Sequence, residues 1–130
     1  MNPYEIYQRN QQQTIEKPED LLLATFEELV SKLNMIAFAI EEKDIETKVT
    51  LIKKVVDALE ILRASLDREV DEKLTQNLDD LYAFCIDEIT KANITNEVEY
   101  VENAKEILTT LMEGFKEAYR NVTTKTSAAS

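Results

Sequence analysis

Carboxylates are the most abundant chemically useful side chains in this 130-residue chain, which contains 26 Asp and Glu residues, one cysteine and no histidine. The adjacent pairs Glu41 with Glu42 and Asp79 with Asp80 suggest acid–base catalysis or metal binding. Neighbouring side chains on a helix point about 100° apart, so neither pair directs both carboxylates to one point. Solvated helix faces therefore explain these acidic residues better than a catalytic site does.

The missing histidine removes the commonest general base and the commonest transition-metal ligand. Di-iron carboxylate bundles need a Glu-x-x-His motif, which this chain cannot contain. Cys85 has no histidine to activate it and falls at a core position of a predicted helix, as a buried free cysteine commonly does. The only glycine, Gly114, excludes a glycine-rich phosphate loop, and we expect it to permit close helix packing. The sequence predicts a protein that is not an enzyme and has no cofactor.

The net charge of −11 and the pI near 4.5 disfavour binding to nucleic acid or to anionic membrane surfaces. No apolar stretch approaches the roughly 18 residues of a membrane-spanning helix, and the N-terminal region lacks the pattern of a secretory signal. We therefore expect a cytoplasmic protein without membrane insertion. One glycine and two prolines are too few for the turns of a β-sandwich or barrel, so an all-α fold is expected.

Apolar residues recur at spacings of three and four, the period of one helical face, in four successive segments. These segments are residues 18–42, 44–66, 74–93 and 95–121. We expect Asp44 to cap the second helix and Asn93, which tolerates the left-handed conformation, to end the third. Either Leu81 or Tyr82 takes the core position in the third segment, and the spacing does not decide between them.

Four helices of similar length with short connections predict an antiparallel up-and-down four-helix bundle with a short N-terminal segment packed on it. The predicted organisation is an N-terminal segment and linker at residues 1–17, the bundle at 18–121 and a disordered tail at 122–130.

Several predicted helices carry more apolar side chains than one core stripe needs, including Met35 and Phe38 in the first helix and Leu51 and Ile61 in the second. A broad core stripe explains this excess, and so do grooves that accept an amphipathic segment of a partner. A structural protein that buries its apolar surface by self-association is a further alternative.

A set of short motifs, in order along the chain, resembles the FliS family of flagellin export chaperones. The motifs are "YEIYQRN", "KPEDLLL", "SLDREVDEKLTQNLDDLY" and the Ala92–Asn93 pair. Three features differ from the family pattern, the first being a linker between Asn10 and Pro18 that is about one residue longer than usual. The segment "ATFEE", Ala24 to Glu28, replaces Met-Leu-Tyr-Asp-Gly, and Phe115 stands where the family commonly has tryptophan.

The resemblance implies a cytosolic chaperone that binds the disordered C-terminal segment of flagellin, prevents premature polymerisation and keeps the subunit competent for type III secretion. It implies flagellin and components of the flagellar export gate as partners. The client segment would wrap around the bundle, partly as helices in apolar grooves. The residues predicted to bind it are Tyr7, Asn10, Leu59, Leu62, Leu66, Leu78, Leu81, Tyr82, Ile89 and Asn93.

The N-terminal segment contains Tyr4, Ile6 and Tyr7, followed by the amide run Gln11 to Gln13. In the FliS family this segment packs over part of the binding surface and rearranges when the client arrives. The resemblance therefore implies that Tyr4, Ile6 and Tyr7 form a movable cover. A permanently docked short helix and a frayed end remain alternatives.

Overall fold

The computed structural model of the chain describes residues 17–129, with side chains described for residues 17–121. It contains four helices, α1 (Pro18–Glu41), α2 (Ile45–Ala64), α3 (Glu72–Thr95) and α4 (Val98–Ala129), and the described part has no strand. The prediction of an all-α fold is confirmed. The predicted N-terminal packing segment lies outside the described residues.

The helices form a closed ring in which α1 packs against α2 and α4, and α3 packs against the same two helices. The connections at residues 42–44, 65–71 and 96–97 are short, so consecutive helices run antiparallel. This is the up-and-down four-helix bundle that the sequence predicted.

Aromatic side chains fill the centre of the bundle. The Phe26 ring, fully buried on α1, lies 5.7 Å from the Phe115 ring of α4 and 6.4 Å from the Tyr82 ring of α3, centroid to centroid. Phe115 in turn stacks on Tyr119, at 6.1 Å. Phe26 belongs to the "ATFEE" segment. Its contact with Phe115 therefore joins two of the places where the sequence differs from the family pattern.

The α1–α2 connection is a tight turn that is held by two hydrogen bonds of Asp44. Lys43 adopts the left-handed conformation, with φ of 59°, and the Asp44 N–H donates to the Ala39 carbonyl at 2.8 Å. The Asp44 carboxylate accepts the Thr47 N–H at 3.2 Å, as predicted for an N-cap. Hydrogen bonding to the Thr47 side chain, and then to the Thr47 N–H, lowers the pKa of Asp44 from its ordinary value.

The third helix is longer than the sequence predicted. It ends at Thr95, and the left-handed residue is Asn96, with φ of 58°, whereas Asn93 lies inside the helix. The reason is Lys48 of α2, which is only 5% exposed. Its ammonium group donates to the Asn93 carbonyl at 3.1 Å and to Asn96 Oδ1 at 2.7 Å, placing a positive charge at the negative end of α3.

The fourth helix also extends beyond the predicted boundary at residue 121, because its backbone is helical to Ala129. Residues 122–129 contain neither proline nor glycine, so nothing in that stretch forces the helix to end. The side chains of residues 122–130 lie outside the described part.

The Lys48 contacts predict a specific loss of stability. Lys48→Met keeps the apolar stem but removes the donor shared by the Asn93 carbonyl and the Asn96 amide, so we expect the free energy of unfolding to fall by about 1–3 kcal/mol. Urea unfolding measures the change, and Lys53→Met, at an exposed position of the same helix, is the control. Equal values for the two variants would contradict the stabilising role of the Lys48 contacts.

Candidate functional site

The described residues offer little for catalysis. Residues 17–121 contain no group of three His, Cys, Asp or Glu side chains that could hold a metal ion. Cys85 is fully buried, and burial, together with the charge of Glu88, raises the pKa of its thiol to about 12. The thiolate is therefore scarce at neutral pH, so Cys85 is a poor nucleophile. In the part of the chain that was searched, no helix is long and apolar enough to cross a membrane.

Three of the side chains predicted to bind the client lie in the core. Leu59, Tyr82 and Ile89 are buried on the inward faces of α2 and α3. Each is in contact with the interior of the bundle and leaves no free surface for a partner. These three residues can support a binding surface from the core but do not form part of the surface themselves.

The other predicted binding residues divide into two groups. Half-buried side chains at the edge of the core are Leu62, Leu66, Leu78, Leu81 and Asn93. Tyr7 and Asn10, with the cover residues Tyr4 and Ile6, lie outside the described residues. Of the eight predicted binding residues that the structure describes, five are therefore partly exposed.

The structure distinguishes Leu81 from Tyr82. Tyr82 takes the core position, is 2% exposed and stacks on Phe26, while Leu81 is half-buried. Adjacent residues on a helix point about 100° apart, so only one of them can face the axis of the bundle. Leu81 therefore has more surface available to a partner than Tyr82 does.

An apolar surface runs along the junction of α3 and α4. Leu74, Leu81 and Glu88 recur every seven residues on α3, and Glu88 contacts Asn103 of α4 at 3.5 Å, so this row lies beside α4. Leu74 is exposed, Leu81 is half-buried, and Phe84, three residues after Leu81, is 42% exposed.

Gly114 belongs to the same region. The Cys85 thiol lies against the Ala104 carbonyl at 3.8 Å, and the helices are antiparallel. Gly114, ten residues after Ala104, is therefore level with Thr75, ten residues before Cys85. We call the region formed by Leu74, Leu81, Phe84 and Gly114 the α3–α4 surface.

The expectation that Gly114 permits close packing between helices of the bundle is wrong. A Cβ atom added at Gly114 would meet nothing within 4 Å, and the residue is exposed. Glycine inside a helix costs about 1 kcal/mol relative to alanine. No packing contact in the described structure offsets this cost.

A second apolar region lies between the outer faces of α1 and α2. It is an open cavity of about 440 Å³ lined by Met35, Phe38, Ala39 and Thr47, and Phe38 is 64% exposed. Carboxylates of the α1–α2 turn form part of its rim. We call this region the α1–α2 groove.

Sequence reasoning gave no binding role to Leu74 or Phe84, whereas it included Met35 and Phe38 in the apolar excess that grooves for a partner segment would explain. A signal for Phe84 was available, since it is a large aromatic outside the core positions spaced by three and four. Leu74 carried no such signal, because it occupies a core position near the start of α3, where the bundle no longer covers it.

The family comparison agrees with the motifs. The family model described as flagellar protein FliS matches residues 1–122. The chain belongs to the FliS family. The resemblance drawn from the short motifs is confirmed, and so is the prediction of a protein that is not an enzyme, because this is a family of chaperones.

Relatives in the FliS family cover most of the chain. The flagellar secretion chaperone FliS of Escherichia coli (strain K12) is 28% identical over 101 residues, 77% of this chain and 74% of the relative. That of Campylobacter jejuni (strain 81116) is 27% identical over 120 residues, 92% and 93% of the two chains. A crystal structure of a flagellar chaperone from bacteria has a TM-score of 0.77 over 92% of this chain and 99% of that chain, at 19% identity, which confirms the fold.

The longest FliS motif, Ser65 to Tyr82, builds the connection between α2 and α3. Asp79 accepts a hydrogen bond from Arg63 Nε at 2.8 Å and lies 3.4 Å from Arg68 Nη2. The hydrogen bond from Arg63 holds the pKa of Asp79 below its ordinary value. This part of the FliS pattern therefore corresponds to polar contacts that fix the connection.

The buried hydroxyl of Tyr82 and the buried thiol of Cys85 predict that the folded protein loses stability at alkaline pH. Burial raises the pKa of Tyr82 and of Cys85 to about 12, from ordinary values of 10.0 and 9.0. Because the folded-state pKa values are the higher ones, their stabilising contribution is complete below about pH 9 and is lost as the pH rises towards 12.

Thermal unfolding between about pH 8 and 12 measures this loss. We expect Cys85→Ala to lose less stability than the wild type across the lower part of that range, since only the wild type has the thiol. Parallel curves for the two proteins would contradict the assignment to Cys85.

Proposed function

We propose that this protein is a cytoplasmic flagellar secretion chaperone that binds the disordered C-terminal segment of flagellin. Binding prevents premature polymerisation and keeps the subunit competent for type III secretion, with the flagellar export gate receiving the complex. Membership of the FliS family supports the chaperone role. The observation that carries the proposal is the distribution of exposed apolar side chains over several outer faces of the bundle.

These side chains do not form one compact patch. They are Leu21, Met35 and Phe38 on α1, Ile45, Val49 and Ile61 on α2, Leu74, Phe84 and Ile94 on α3, and Val70 in the α2–α3 connection. An extended client can cross several small surfaces in succession, whereas a globular partner buries one contiguous area. The distribution therefore favours a long, flexible segment.

The same distribution disfavours a structural protein that buries its apolar surface by self-association. A two-fold dimer uses the same contiguous patch on both copies. Here the α3–α4 surface and the α1–α2 groove belong to different pairs of helices. A symmetric contact through either one would leave the other exposed.

The mechanism is steric shielding coupled to folding of the client. A disordered segment that becomes helical on binding covers a large surface, while the cost of ordering it keeps the affinity low enough for release. In this scheme Leu81 and Phe84 contact the client. Leu59, Tyr82 and Ile89 support them from the core.

Calorimetry with the flagellin C-terminal segment tests the proposal. We expect one-to-one binding with a negative heat-capacity change and a gain of helicity in circular dichroism, because apolar surface is buried and a disordered chain is ordered. No detectable binding at tens of micromolar would contradict the proposal.

The same calorimetric assay tests whether the α3–α4 surface and the α1–α2 groove contact the client. Phe84→Ala and Phe38→Ala each remove an exposed aromatic side chain, and we expect each to weaken binding by about tenfold or more without lowering the melting temperature. Lys54→Ala, at an exposed polar position of α2 that is not among these apolar side chains, is the control. If all three variants bound alike, the two surfaces would lose their assigned role.

The movable cover is a separate prediction about residues 4–10. If Tyr4, Ile6 and Tyr7 compete with the client for apolar surface, amide hydrogen exchange from Tyr4 to Asn10 should show intermediate protection without the client and a different pattern with it. A permanent helix would stay protected in both states and a frayed end unprotected in both. Unchanged exchange at saturating client would refute the cover while leaving the chaperone proposal intact.

A further inference from the structure

Lys48 is a buried cation whose partners are both uncharged. It is 5% exposed, and its ammonium group donates hydrogen bonds to the Asn93 carbonyl and to Asn96 Oδ1. No carboxylate among residues 17–121 forms an ion pair with this ammonium group, and its third N–H has no acceptor there. The negative end of α3 carries about half an elementary charge, so it offsets the buried charge only in part. One donor of a buried charge is therefore available to an anionic acceptor.

A cavity opens beside Lys48 at one end of the bundle. It has a volume of about 360 Å³ and lies between the α1–α2 turn and the end of α3. Lys48 and Asn96 form part of its wall, and Ile40 and Ile45 add apolar lining. Five of its seven lining residues do not belong to the α1–α2 groove, so it is a different part of the surface. We call it the Lys48 cavity.

The contact with Lys48 also orients a second donor. Asn96 Oδ1 accepts from the ammonium group at 2.7 Å, so the nitrogen of the same planar amide is directed elsewhere as a donor. No side chain or backbone group in the described part of the chain accepts from this nitrogen, and Asn96 is exposed. A carboxylate has two oxygens, which is enough to accept from Lys48 and from Asn96 together.

The charges in the wall of the cavity favour an anion. Lys43 is exposed and forms no ion pair with a described side chain, so it adds a second positive charge. Asp44 is the one carboxylate in the wall. It accepts the Thr47 N–H at 3.2 Å, and hydrogen bonding to the Thr47 side chain and N–H lowers its pKa, so its charge is stabilised by the start of α2. Two positive charges against one negative charge leave the wall positive, on a chain whose net charge is −11.

We propose that the Lys48 cavity binds a carboxylate group, which accepts hydrogen bonds from the Lys48 ammonium group and the Asn96 amide. Lys43 adds electrostatic attraction, and Ile40 and Ile45 contact an apolar group next to the carboxylate. Two sources supply this chemistry, the C-terminal carboxylate of a polypeptide and the side chain of Asp or Glu. The inference concerns the end of the bundle and does not depend on the proposed function.

Proton–nitrogen correlation NMR of the full chain tests the site with acetate as the probe. Acetate replaces chloride at constant pH and ionic strength, so that only the kind of anion changes. We expect saturable shifts of the Asn96 side-chain amide and of the backbone amides of residues 43–48, because the carboxylate lies among them. Shifts that do not saturate, or that are absent from these residues, would overturn the proposal.

Substitutions in the wall separate binding from stability. Lys48→Met should weaken acetate binding by about tenfold or more, because it removes the charged donor. Lys43→Asn keeps a residue that tolerates the left-handed conformation and should weaken binding about two- to fivefold, since an exposed charge is lost. Lys54→Gln removes the same charge at an exposed position of α2 outside the cavity and should leave the affinity unchanged.

A further variant keeps the test decisive if Lys48→Met does not fold. Asn96→Gly retains the left-handed backbone but removes the amide donor, so we expect weaker acetate binding by a folded protein. Circular dichroism checks the fold of each variant. Equal acetate affinities for the wild type, Lys43→Asn and Asn96→Gly would show that these residues do not form the site.

Three larger probes distinguish the two sources of the carboxylate. Acetyl-leucine presents a chain terminus beside an apolar side chain, and the α-amide of acetyl-glutamate presents an acidic side chain. Tighter binding of the first than of acetate would assign the cavity to a chain terminus, and tighter binding of the second would assign it to an acidic side chain. The amide of acetyl-leucine has no carboxylate, so equal binding of this probe and acetyl-leucine would contradict carboxylate recognition.

Discussion

The ring of Phe26 stacks on Phe115 of α4 and on Tyr82 of α3, and these contacts hold three helices around one buried side chain. Burying a phenylalanine contributes about 1.5–3 kcal/mol, and each aromatic pair adds about 0.5–1.5 kcal/mol. Phe26 lies in the segment Ala24 to Glu28, which the motif comparison marks as a departure from the family pattern, as it does Phe115. The two rings stack on each other, so these departures share a packing contact in the core of the bundle.

Polar contacts at the two ends of the bundle complement this aromatic centre. At one end Lys48 joins α2 to the end of α3, and at the other Arg63 and Asp79 join α2 to the start of α3. Lys48 satisfies a backbone carbonyl near the end of α3, where helix carbonyls lack partners within the helix, whereas Arg63 and Asp79 pair through their side chains. Neither contact uses the exposed apolar residues on the outer faces of the helices.

The apolar spacing predicted the four helices and their arrangement because burial of one face per helix determines both. It could not choose between Leu81 and Tyr82, since neighbouring positions satisfy the same spacing and only the packing against Phe26 separates them. The end of α3 was misplaced because Lys48, which stabilises it, lies 45 residues before Asn93. The role first given to Gly114 was wrong for a similar reason, because spacing along one helix contains no information on what lies opposite it.

Exposed apolar residues on a folded monomer carry a risk of aggregation, which falls when they are divided among separate small surfaces. On this protein the α3–α4 surface and the α1–α2 groove lie on different helix pairs, and acidic residues border both. The net charge of −11 adds repulsion between copies of the chain. A second copy therefore gains little from any one surface, whereas one flexible segment that reaches several of them adds their contributions. The arrangement that disfavours self-association is thus the one that the proposed extended client requires.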